Sequence, residues 1–275
     1  MKGGTIGIQI NEQDRSIPGG LSIGHLRDQI KPGADVLVVN GFPCGPDTEL
    51  KEGDRVILIR RGETPRPEEL ESLMVARHTP GVHARMKGAV VGIAGLGGLG
   101  SNVAIALGRM GMGTLILADF DLVEPSNLNR QQYSLEHIGA FKTDAMAQIL
   151  SGINPYLKVI NHKILLDRNN ILRIFQKADI VVECLDRAEA KAMFIQTMLE
   201  FLPETYIVGA SGLAGYGDSN SIQTIKLGDK LFMVGDLVTA AEPGRGLMAP
   251  RVGIAAHHQA NLVVSLLMDS ENTKL

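Results

Sequence analysis

Residues 121–131 of this 275-residue chain read D-x-V-x-x-S-N-L-x-R-Q. Asp121, Asn127, Arg130 and Gln131 therefore share one short loop, and Lys142 follows at the start of the next helical pattern. A guanidinium and an ammonium placed so closely suit chemistry in which negative charge develops on phosphate. Upstream, residues 89–101 read AVVGIAGLGGLGS: an apolar run (Val90, Val91, Ile93) enters Gly95-x-Gly97-x-x-Gly100, with Gly98 inside the turn and helix-period apolar positions from Val103. Glycines at this spacing let the backbone turn tightly against a phosphate, and free N–H groups at a helix start face the anion.

The glycine turn suits dinucleotide and ATP enzymes alike. So does Asp119, which ends the next apolar run where a ribose hydroxyl is met. The cations discriminate between the two. Hydride transfer has no use for an arginine and a lysine beside the phosphates, whereas nucleotidyl transfer builds charge on the α-phosphate and the departing pyrophosphate. Arg130 offers a planar fork and Lys142 a compact point charge. Competing readings stand beside these: Asp121 caps its loop or touches ligand, and Lys142 binds phosphate or is a solvated helix residue. Cys184, after an apolar run, reads as a small core residue. The seven histidines form no spaced metal set.

Alternating strands and helices must hold these residues. Residues 114–118, 157–164, 180–184 and 206–210 read as strands, and 143–149, 171–175, 188–199 and 252–267 as helices. That order, with continuous apolar strands, predicts an α/β fold: a doubly wound, Rossmann-like, mostly parallel sheet. Before it, strands at 5–10 and 15–18, a helix capped by Ser22, and strands at 35–40 and 55–60 describe a small β-grasp unit. The predicted domains are 1–62, a linker with a helix over 63–87, and 88–275; ETPRP at 63–67 is a stiff, polar linker, and residues 68–75 form the helix. Glycine-rich loops at 213–217 and 236–246 are expected to be mobile.

Composition narrows the class. Hydrophobic content is 44% and net charge −3, with mean hydropathy +0.08, so no electrostatic surface for nucleic acid or membrane is expected. Two cysteines, Cys44 and Cys184, cannot build a tetracysteine zinc site. The N-terminal residues lack an apolar signal core. The expected location is the cytoplasm.

Taken together, GLGGLGS, DFDxVxxSNLxRQ, Gly139-x-x-Lys142 and the strand-end Cys184-x-Asp186 resemble the ThiF/MoeB/HesA family, relatives of the ubiquitin-activating enzymes, over residues 77–267. The first sixty or so residues are similar to ThiS/MoaD sulfur carriers, notably in Val39-Asn40-Gly41 and the GDRVILI run ending at Ile59. The resemblance implies an enzyme that uses MgATP to adenylate the C-terminal glycine of a β-grasp sulfur carrier; the ThiS-like first domain leans toward thiamine-thiazole synthesis, and molybdopterin or another sulfur-transfer route would use the same chemistry. It implies that Gly95, Gly97 and Gly100 form the nucleotide turn, Asp119 holds the ribose, Asn127 and Arg130 contact the phosphates, and Lys142 steadies the triphosphate. Asp186 would bind Mg²⁺, and Gln131 shares the motif. It further implies a homodimer in which Arg77 enters the neighbouring subunit's site.

Departures from that family leave alternatives. Residues 212–250 contain no cysteine, which removes the zinc pairs of many members and a covalent link through that loop. Where carriers end in Gly-Gly, this chain reads Arg60-Arg61-Gly62-Glu63 and continues. A carboxylate locked in a peptide bond cannot be adenylated, so the fused unit reads as a docking or stabilising module unless cleaved after Gly62. A non-catalytic regulator, and an enzyme activating a small-molecule or tRNA-base carboxylate, remain the rival readings.

Overall fold

The computed structural model describes residues 4–269; residues 1–3 and 270–275, at the outer ends of the first and last predicted domains, lie outside the described residues. The chain divides into two compact units at 80/81. In the first, β1 (Thr5–Ile10) and β2 (Gln13–Pro18) form an antiparallel hairpin. Its turn residues Asn11 and Glu12 both take positive φ, the geometry that matches the twist of the flanking strands. Helix α1 (Ile23–Ile30) starts where Ser22 Oγ accepts the His25 N–H. Strands β3 (Val36–Val39), β4 (Phe42–Pro43) and β5 (Arg55–Ile59) complete a sheet of order β2-β1-β5-β3-β4. β4 is a two-residue strand missing from the sequence reading, created by the tight Asn40-Gly41 turn.

Ile8, Ile10, Ile23, Leu26, Leu50, Val56 and Leu58 fill the core of this unit. Beyond β5 the Glu63 amide donates to Arg60 O, with Gly62 at φ +74. The chain thus turns where a carrier's tail would run free. It continues into α2 (Pro67–His78). Glu69 Oε1 accepts from Asn11 Nδ2 at 3.0 Å and lies 3.4 Å from Lys31 Nζ, while Gln13 donates to Ser72. These bonds attach α2, which sequence assigns to the linker, to the first unit.

The second unit is built from α3 (Pro80–Gly88), β6 (Val90–Ala94), α4 (Gly98–Arg109), β7 (Thr114–Ala118), α5 (Lys142–Ile153), β8 (Lys158–His162), α6 (Ile171–Phe175), β9 (Ile180–Glu183), α7 (Ala188–Phe201), β10 (Tyr206–Ala210), β11 (Gln223–Lys226), β12 (Leu231–Gly235) and α8 (Ala249–Asp269). Its seven-stranded sheet runs β11-β12-β10-β9-β6-β7-β8, parallel except for β11 against β12. The α/β, mostly parallel architecture expected from the sequence is the one observed. β11 and β12 are additional: β11 (QTIK) is a largely exposed edge without apolar periodicity. One face of the sheet is covered by α4, α5 and α8 through Val103, Leu107, Met146, Val252 and Val263. The other carries α6 and α7, where Phe175 and Phe194 meet edge-on at 5.7 Å.

Candidate active site

From β6 the chain winds outward through β7 and β8, then returns to β6's other side as β9. The carboxyl ends of β6 and β9 therefore flank the point where the winding reverses, the crevice in which open α/β sheets place their ligands. The glycine turn follows β6. Gly95 sits at φ +90, and a Cβ there would stand 2.8 Å from Cys184 O; a Cβ on Gly100 would overlap Gly95 O. Both positions thus demand glycine. Gly97 caps α4, and a Cβ on Gly98 would come within 3.0 Å of Val252 and 3.4 Å of Arg130 Cγ.

Asp119 ends β7 beneath this turn. Its Oδ2 accepts the Leu96 N–H at 2.6 Å and its Oδ1 the Asp121 N–H at 2.8 Å. Burial pushes this carboxyl above the ordinary range, opposed by the nearby Lys142 ammonium. Lys142 opens α5, with its Nζ 2.7 Å from Asp121 Oδ2 and its side chain only 7% exposed. The alternative of a solvated helix residue is corrected: its ammonium is buried against a carboxylate at the crevice. The Asp121 carboxylate is the group that holds it.

The loop between β7 and α5 carries the remaining motif residues. Asn127 ends a short 3₁₀ turn, and its Oδ1 accepts the Glu124 N–H at 3.0 Å, which orders the loop. Arg130 lays its stem over Gly98 and donates from Nη1 to Asn129 Oδ1 at 2.9 Å. The Gln131 side chain lies over Gly97. Arg130 Nε and Gln131 Oε1 are buried with no hydrogen-bond partner among the described residues. Unmatched buried polar atoms are rare, and each asks for an explanation.

Sequence reasoning missed the groups that hold this arrangement together. The buried Tyr133 hydroxyl donates to Leu96 O at 2.9 Å and reaches Lys142 O at 3.5 Å, joining the glycine turn to the start of α5. Burial raises this phenol far above its usual range. Asn102 donates to Gly98 O at 2.7 Å and accepts from Gln132 Nε2 at 2.7 Å. No pattern around Tyr133 or Asn102 signals either role.

Asp186 follows β9 on the far side of the crevice. It is exposed, and its carboxylate makes no hydrogen bond or ion pair among the described residues. A free, hard oxygen donor beside a phosphate turn fits Mg²⁺, which takes one or two carboxylates and completes its shell with water and phosphate. The preceding Cys184 is buried, burial pushes its thiol up, and its Sγ lies 3.9 Å from Gln259 Oε1. It is a core residue. Arg77 belongs to the first unit, 3.8 Å from Glu12. Two depressions of about 470 and 300 Å³ lie on the first unit, around Arg15 and Glu52 and around Glu12 and Arg55. Glu12 pairs there with Arg55; the chemistry of the side chains, rather than volume, marks the glycine crevice.

The loops beyond β10 and β12 are joined to α8. Arg251 donates to Asp218 O, Ser221 Oγ and Asp236 Oδ2 at 2.8–2.9 Å. Against the cost of partial burial, bonds from the Thr239 side chain and amide, the Val238 amide and Arg251 hold Asp236 down to about 2. Arg251 thus ties the start of the 236–246 stretch, at Asp236, to α8. Among the described residues no helix is long and apolar enough to cross a membrane.

Comparison with known proteins bears on this crevice. A model of the ThiF family matches residues 71–275, and one of ThiS-like ubiquitin matches residues 6–62. Adenylyltransferase and sulfurtransferase UBA4 of Candida glabrata is 33% identical over 147 residues, 52% of this chain and 34% of that protein. Ubiquitin-like modifier-activating enzyme 5 of Oryza sativa subsp. japonica is 31% identical over 160 residues, 54% of this chain and 37% of that protein. The matches thus span little more than a third of the length of these curated relatives. Among solved structures, E. coli tRNA N6-threonylcarbamoyladenosine dehydratase, TcdA, in complex with ATP superposes with a TM-score of 0.67 at 20% identity, covering 74% of this chain and 95% of that one. That likeness is one of fold.

Proposed function

This chain belongs to the ThiF family, and on that premise we propose that it is an ATP-dependent adenylyltransferase acting on the C-terminal carboxylate of a ThiS-like sulfur carrier. The observation that carries the reading is the pair of unmatched buried atoms, Arg130 Nε and Gln131 Oε1, set over Gly98 and Gly97 at the start of α4. An anionic ligand seated on the turn supplies what Arg130 lacks. The reading is further supported by the ATP and AMP complexes of the structurally similar TcdA.

In this reading the N–H groups at the start of α4 face the phosphates, and Asp119, already ordered by two amides, receives the ribose. Arg130 and Lys142 neutralise charge on the α-phosphate and pyrophosphate, while Asn127 shapes the loop that presents Arg130. Asp186 would hold Mg²⁺, which supplies charge neutralisation on the triphosphate when bound. The carrier's carboxylate is ionised at neutral pH and needs no general base. It attacks the α-phosphorus, the α–β phosphoanhydride breaks, and acyl-adenylate and pyrophosphate result. Positioning and electrostatics do the catalysis. Thiamine-thiazole synthesis is the pathway to which the ThiS-like first unit points, and a cytoplasmic homodimer with Arg77 reaching the neighbouring site is the proposed assembly.

A second reading has its own support. The turn at Gly62 leaves this chain's own β-grasp unit without a free glycine carboxylate, and the structural likeness includes a tRNA-modifying dehydratase. A small-molecule or tRNA-base carboxylate is then the acceptor. ATP–pyrophosphate exchange, with and without a separate carrier ending in Gly-Gly, separates the readings. Carrier-dependent exchange supports the first. ATP binding with no exchange on any carrier overturns it.

A further inference from the structure

Glu183 and Lys191 form a buried ion pair in the second unit, at the end of the strand that leads to Asp186. Glu183 ends β9 with 0% of its side chain exposed. Lys191 Nζ lies 3.0 and 3.1 Å from its two carboxylate oxygens and also donates to Ala210 O at 3.0 Å. The Ala210 amide donates to the same carboxylate, and Gln259 Nε2 donates to Glu183 O at 3.2 Å. A side chain at Gly209 would press within 3.3 Å of Glu183 Oε2. Burial drives this carboxyl upward, opposed by Lys191.

Two bonds connect the pair to Asp186. Glu183 Oε1 accepts the Leu185 N–H at 2.7 Å, inside the turn that leads to Asp186. On the other side, the Lys191 amide donates to Arg187 O at 2.9 Å, closing the first turn of α7 directly after Asp186. Asp186 is thus bracketed by two residues that are locked to each other. We propose that Glu183 and Lys191 are positioning residues for Asp186, fixing the turn that presents its carboxylate and so setting how strongly Mg²⁺ strengthens ATP binding. The inference rests on the reading of the crevice as an ATP site in which Asp186 faces the metal.

A purely structural role makes a different prediction. Buried ion pairs are commonly replaced by apolar residues of similar volume without loss of stability, whereas removing one partner is strongly destabilising. An apolar pair cannot accept the Leu185 N–H. The double variant Glu183→Leu/Lys191→Met therefore separates stability from positioning.

The experiment measures thermal unfolding and, by calorimetry, the affinity for ATP with and without Mg²⁺, for the full-length wild type, Lys191→Met, the double variant and Asp186→Ala. Lys191→Met lowers the melting temperature, and the double variant regains it. The Mg²⁺-dependent gain in ATP affinity nonetheless falls by about tenfold in the double variant, the scale seen when the groups orienting a metal ligand are lost, and approaches that of Asp186→Ala. Affinity without Mg²⁺ is unchanged. A double variant with the wild-type Mg²⁺ gain overturns the proposal while leaving the site reading intact. Asp186→Ala with the wild-type gain overturns the reading of Asp186 and the proposal with it. Should the double variant fail to fold, Glu183→Asp carries the test: it keeps the charge but withdraws the carboxylate from Leu185, so it folds and loses the gain, and an undiminished gain overturns the proposal.

Discussion

The Lys142 ammonium lies 2.7 Å from Asp121 Oδ2, with the lysine side chain almost fully buried and the aspartate half open to solvent. The cation is therefore held at the crevice by a partner that an incoming phosphate can replace. Lys142→Met removes the charge and is expected to lower pyrophosphate exchange by about 10²-fold or more. Asp121→Asn leaves the buried ammonium without its counter-charge. It costs about 1 kcal/mol of stability, reduced by the exposure of Asp121, and shows as a lower midpoint in urea with an unchanged slope.

Arg130→Ala and Asp186→Ala are each expected to abolish adenylation while circular dichroism and melting temperature stay near wild type, since among the described residues the Asp186 carboxylate has no partner and the Arg130 guanidinium bonds only to the exposed Asn129. Normal turnover in either variant would remove these residues from the site.

Tyr133→Phe deletes one hydroxyl and keeps the ring. Leu96 O then loses its buried donor, a cost of about 1–2 kcal/mol. Because that hydroxyl joins the glycine turn to the start of α5, KM for ATP is expected to rise more than kcat falls, a split read directly from exchange kinetics.

Acid should act through Asp119. Its carboxyl is raised in the fold by burial, so its ionised form costs stability at neutral pH. That cost is relieved as pH falls through the folded value and has gone below the unfolded value of about 3.9. Ribose binding needs the ionised acceptor. ATP affinity is therefore expected to fall as pH drops through the raised folded value, while the same protonation relieves the cost to stability, so the loss of binding is not unfolding through this group. Asp119→Asn should bind ATP weakly and without that acid limb; an unchanged limb would assign it to another group.

The nucleotide crevice was legible because its signals are local. Gly95 turns the chain at positive φ and Gly100 packs against Gly95 O within one strand–turn–helix, and Asp119, Arg130 and Lys142 follow at spacings that this unit dictates. The same locality made the Ser22 cap and the Asn40-Gly41 turn readable. β11 escaped because a polar edge strand carries no period.

The sequence by itself determined the alternation of elements, the glycine turn and the cationic loop, since each depends on residues close along the chain. Only the tertiary structure decided which groups hold them: Tyr133 on Leu96, Asn102 on Gly98, Lys142 on Asp121, Lys191 on Glu183, and α2 on the first unit through Glu69. Those partners are distant in sequence or set by side-chain direction, and their pairing arises because burial forces each polar group to find the nearest donor or acceptor. Packing brings that neighbour within reach, and no spacing along the chain encodes it.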